Sequence, residues 1–93
     1  MRIHNAQSSR PVTVLQWTLR HGSDALACEV NARSPRSFDV SVTPLQHGTS
    51  TVTEHFGSVV RAMRRHAEIV GMLRALGWNA TDYCHPHPAR AAA

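Results

Sequence analysis

Thr51-Val52-Thr53-Glu54-His55-Phe56-Gly57, just after Gly48, is where the hydrophobic period of this chain changes. Upstream, from Val12 to Leu45, apolar and polar residues alternate. Downstream, as far as Leu76, apolar residues return every third or fourth position. The first pattern belongs to half-buried strands and the second to an amphipathic helix. Thr51 to Glu54 also matches a capping box, in which a Thr hydroxyl and a Glu carboxylate each satisfy an orphan backbone amide. The stretch therefore predicts the start of one long helix near residue 52. Gly77 predicts its end near residue 76, because glycine accepts the left-handed conformation that closes a helix. Trp78 can then fold back on Leu73.

Working outward toward the N-terminus, three strands follow from the alternation. Leu15, Trp17 and Leu19 share one face of the first. Leu26, Cys28, Val30 and Ala32 share a face of the second, and Phe38, Val40 and Val42 a face of the third. Turns fall at His21-Gly22-Ser23-Asp24 and Ser34-Pro35-Arg36, and Pro44 ends the third strand. The expected fold is α+β: a three-stranded antiparallel meander, one face covered by a single long C-terminal helix, β-β-β-α in two layers. Residues 1–10 are expected to be a flexible arm, residues 11–78 the domain, and residues 79–93 a disordered tail.

Projected at 100° per residue, Val52, Phe56, Val59, Val60, Met63, Ala67 and Val70 form one helical stripe. Arg61, Arg64, Arg65 and Glu68 lie opposite. Toward the C-terminus the apolar arc widens beyond what a surface helix needs. A patterned core of about 70 residues is marginal alone, burying only about 60% of its unfolded surface. Surplus aliphatic surface on such a domain predicts self-association through Ile69, Leu73, Leu76 and Trp78, as a homodimer or with an unidentified protein partner.

Composition narrows the chemistry. The net charge is +4, and all ten basic residues are arginine. Two cysteines, no apolar leader and no apolar run near 20 residues predict a cytoplasmic chain with reduced thiols and no membrane span. Nothing resembles a nucleophile elbow, a paired-carboxylate site or a phosphate-cradling glycine loop, so no enzyme and no cofactor is expected. Cys28 reads as a small buried hydrophobe, and His66, at the edge of an apolar face, as a packed or hydrogen-bonded histidine. Two patterns support alternatives. Arg20, Arg33 and Arg36 could let the outer sheet face bind nucleic acid. Cys84, His85 and His87 are residue types that bind zinc or copper.

The early Trp17, the meander and the ending Leu73-Arg74-Ala75-Leu76-Gly77-Trp78 resemble a class of small bacterial proteins whose helix closes on Leu-x-x-Gly-Trp. That resemblance implies the β-β-β-α layout and no activity. The topology is also similar to the sheet-plus-helix DNA-binding domains of tyrosine integrases, but their basic, aromatic-studded outer strands are missing. The expectation from sequence is thus a non-enzymatic interaction module that self-associates.

Overall fold

The computed structural model describes residues 11–45 and 51–84. Their element order is β1 (Val12–His21), β2 (Asp24–Ser34), β3 (Ser37–Pro44), β4 (Val52–Phe56), α1 (Val59–Ala75) and β5 (Asn79–Cys84). All five strands form one antiparallel sheet in the order β4-β3-β2-β1-β5. The chain thus climbs a four-stranded meander to one edge. It then crosses the sheet as a helix and adds its last strand at the opposite edge.

The meander of β1 to β3 follows the alternation. Leu15 pairs with Val30, which pairs with Val40; Trp17 pairs with Cys28, which pairs with Val42. The apolar side chains therefore share one face, and α1 lies on it. Gly22 turns β1 into β2 with φ +63°, while Ser23 keeps a negative φ, the pattern of a type II′ hairpin turn.

Two parts of the expected architecture are overturned: the sheet has five strands where three were expected, and the helix is shorter. Residues 51–56 do not open a helix. Thr51, Val52 and Thr53 are β-branched, which favours a pleated strand over a helix turn. Val52–Phe56 pairs with β3 from Val52↔Val42 to Phe56↔Phe38. Val52 and Phe56, four apart, satisfy both periods, which is why the pattern misleads. The capping box is not used: Ser58 caps the helix instead, its hydroxyl accepting from the Arg61 amide at 3.3 Å. Glu54 faces the helix and pairs with Arg65 at 2.8 Å.

The second correction is at the other end. Residues 79–84, expected in the tail, form β5 along β1 from Arg20↔Asn79 to Gln16↔Cys84. A bulge at Thr81 breaks the alternation, so Ala80 and Tyr83, three apart, both face the helix side. No period-two signal survives such a bulge.

The C-cap agrees with the sequence. Gly77 has φ +103°, the Trp78 amide donates to the Leu73 carbonyl, and the Gly77 amide donates to that of Arg74, both at 3.0 Å. This is the Schellman arrangement.

The core comprises Leu15, Val30, Phe38, Val40 and Ala62, with Val14, Trp17, Phe56, Met63 and Ile69 packed against it. The stripe that α1 sinks deepest is Ala62 and His66, with Val59 and Val60 left exposed. Ala62 is fully buried, and so small a side chain lets the helix approach the sheet closely.

Candidate functional site

One helix cannot cover a five-stranded sheet. α1 packs on β2, β3 and β4, so the part of the same face over β1 and β5 is roofed on one side only. The result is an open apolar groove of about 420 Å³ between the helix and the β1–β5 edge. Leu15 and Trp17 of β1 and Ala80 and Tyr83 of β5 form its floor; Val70 and Gly71 stand in its helical wall. The rings of Trp17 and Tyr83 lie 4.7 Å apart, tilted by 46°, a favourable aromatic geometry. Ala67 and Gly71, one helical turn apart, keep the wall low.

Besides the polar tips of Trp17 and Tyr83, two titratable side chains of α1 line this groove. His66 is 4% exposed, and its Nε2–H donates to the Cys28 carbonyl at 3.0 Å. Burial pushes its pKa below the usual imidazole range, and the bond to the carbonyl opposes that only in part. The ring is therefore neutral at pH 7. Arg74, on the last turn of α1, is the only charged lining residue among those described.

At the opposite edge a shallower cleft of about 250 Å³ lies beside Phe56, Arg61, Arg64, Arg65 and Glu68. Arg65 is bound by Glu54 and, at 3.2 Å, by Glu68; these bonds raise its pKa further. This cleft is mostly a solvated charged face.

The outer face of the sheet carries a polar network. Asp39, 3% exposed, accepts from Arg33 Nε at 2.6 Å and from Nδ1 of the exposed His55. Thr13 donates to Asn31, which donates to Glu29. Ser41 pairs with Thr53, and Thr43 with Thr51. These contacts tie β1 to β4 without an apolar layer.

The residues expected at a self-association surface differ in burial, although Ile69, Leu73 and Leu76 follow one another along one side of α1. Ile69 is half-buried against the core, and Trp78 lies against His21 with ring centroids 5.3 Å apart. Leu73 is half-buried and Leu76 exposed. The arginines expected on a nucleic-acid face are separated. Arg20 sits at the β1–β2 turn end of the sheet, Arg36 in the β2–β3 turn at the other end, and Arg33 is engaged by Asp39. Of the metal-binding string, Cys84 is exposed at the end of β5, whereas His85 and His87 lie outside the described residues. Among the described residues no cluster of three or more His, Cys, Asp or Glu could hold a metal ion. Cys28 is a fully buried thiol whose pKa is raised to about 11, chiefly by burial and then by the charge of Glu29. That makes it inert at neutral pH.

Sequence reasoning missed the groove because it depends on β5. Trp17 reads as core from its alternation alone, and only the register opposite Tyr83 shows that one side of it is open.

No protein-family model matches this chain, and neither the curated proteins nor the solved structures give a match.

Proposed function

We propose that this chain is a non-enzymatic interaction module whose recognition surface is the α1–β1–β5 groove. Its partner is an extended polypeptide segment lying beside β5. The observation that carries this reading is the half-roofed sheet: a helix over β2 to β4, with an apolar trough left beside β5, which is an edge strand among the described residues.

Two physical arguments favour a polypeptide over a small molecule. Small-ligand pockets bury most of their ligand, whereas this trough is partly open to solvent. A strand beside β5 would lie about 4.8 Å from it, with alternate side chains directed toward the trough. Ala80, the smallest floor residue, leaves room for one of them to reach Val70 and Gly71. The bulge at Thr81 shortens the usable edge, so main-chain pairing is limited to a few residues. Most of the affinity then comes from one or two anchored apolar side chains, each contributing about 1.5–3 kcal/mol. Micromolar or weaker binding follows.

Self-association, expected from the sequence, would use this same edge, with β5 of a second copy as the added strand. Two free cysteines and the lack of any described helix able to span a membrane are compatible with a cytoplasmic location. The nucleic-acid reading has less support, because Arg33 is neutralised and the other two arginines stand at opposite ends.

The experiment is selection of binders from a random-peptide display library, followed by competition with an Ala80→Trp variant. Ala80→Trp fills the trough from an edge strand and leaves the core intact. Enriched peptides with alternating apolar residues that fail to bind this folded variant are the expected result. Absence of enrichment, or binding unaffected by Ala80→Trp, would refute the proposal. Sedimentation of both chains separates self-association: dimerisation through β5 would be lost in the variant.

A further inference from the structure

We infer that Arg74 makes the groove selective for a segment carrying a carboxylate next to its apolar anchor; this rests on the interaction module proposed above. Apart from the polar tips of Trp17 and Tyr83, the trough's polar lining is His66 and Arg74, and His66 is neutral. Its described lining contains no Asp or Glu. Among the described residues Arg74 forms no side-chain hydrogen bond or ion pair. Arg33 and Arg65, by contrast, are held by acidic neighbours. Arg74 is thus a guanidinium on an apolar trough without a counterion among the described residues.

Its placement fits the role. Helical side chains lean toward the helix N-terminus, over the residues three and four positions back. For Arg74 these are Gly71 and Val70, both in the groove wall. Gly71 offers no side chain to obstruct the guanidinium. Five N–H donors in a planar fork match a carboxylate bidentately, and a partly desolvated site strengthens that bond relative to open water. The negative end of the helix dipole also lies here, which makes a bare carboxylate unfavourable unless it is met by the arginine. Selectivity therefore depends on Arg74 itself rather than on a general positive field.

The selection experiment tests this directly. Peptides enriched on the natural chain are expected to carry Asp or Glu beside an aliphatic or aromatic residue. For a representative peptide, Glu→Gln should weaken binding about tenfold, the size of one charge-assisted hydrogen bond near a surface. On the Arg74→Gln variant the acidic and amide peptides should bind alike. Arg61→Gln, which removes the same charge on the side of the β4 cleft, should keep the preference. Peptides that bind the groove without an acidic preference, or a preference that survives Arg74→Gln, would overturn this inference and leave the interaction module standing. No peptide binding at all would overturn both.

Discussion

Replacing Gly77 with alanine should destabilise the fold through two separable effects. Gly77 sits at φ +103°, where an L side chain is strained. That strain costs on the order of 1–3 kcal/mol. A Cβ built there would also lie 3.3 Å from both Cδ2 and Nε2 of His21, closer than ordinary van der Waals contact. The His21 ring is exposed but rests on Trp78, so it can give by a few tenths of an ångström at some expense of that contact. The total is about 2 kcal/mol, and for a domain of this size it lowers Tm by roughly 10 °C. Gly22→Ala is the internal control. Its φ is +63° and nothing lies within 4 Å of the added carbon, so only the conformational cost of about 1 kcal/mol remains. Urea denaturation monitored by circular dichroism reads both, with the midpoint moving and the slope unchanged. Combining Gly77→Ala with His21→Ala should recover the contact part and leave the backbone part. A Gly77→Ala chain within about 0.5 kcal/mol of the natural one, or less affected than Gly22→Ala, would refute the reasoning.

The remaining predictions concern burial and titration. Truncating the fully buried Leu19 to alanine should cost about 2–5 kcal/mol, a large share of a small domain's stability, as read by chemical denaturation. In the native chain a thiol reagent should label Cys84 at once and Cys28 only on unfolding; rapid labelling of both would contradict the buried thiol. Because His66 has a lowered pKa when folded, the unfolded chain binds the extra proton. Stability should fall as pH drops from about 7 through 6.5 toward the folded pKa and level off below it, with a slope of at most about 1.4 kcal/mol per pH unit. The difference between the natural chain and His66→Gln isolates this component from His21 and His55. Gly71→Ala, with open space around the new carbon, should stabilise α1 by up to about 1 kcal/mol while narrowing the groove.

Much of the fold was legible where one face is fully buried. The pairing of Leu15, Trp17 and Leu19 with Val30, Cys28 and Leu26 follows from alternation, since slipping one residue would turn every apolar side chain outward. The C-cap was legible because Gly77 supplies a conformation that few residues can. Edge strands gave weaker signals for physical reasons. β4 places Glu54 on the inner face, where an ion pair with Arg65 replaces apolar burial. β5 contains Asn79 and Asp82, poor strand formers, and its bulge spaces Ala80 and Tyr83 as a helix would. Missing β4 also made the expected helix seven residues too long at its start, although Ile69, which is half-buried against the core, lies in the helix under either reading. The groove was illegible because half of its floor, Ala80 and Tyr83, belongs to the missed strand β5. Arg33, Asp39 and His55 come together only through the register of β2, β3 and β4.

The most direct test is an amide NMR titration of the isotope-labelled chain with a peptide selected on it. Binding in the groove predicts that the largest shifts cluster on Trp17, Val70, Gly71, Ala80 and Tyr83, and that Ala80→Trp abolishes them. Shifts concentrated on the outer face around Glu29 and Ser41, or along the β4 cleft at Phe56 and Arg64, would contradict the claim that the half-roofed sheet is the recognition surface.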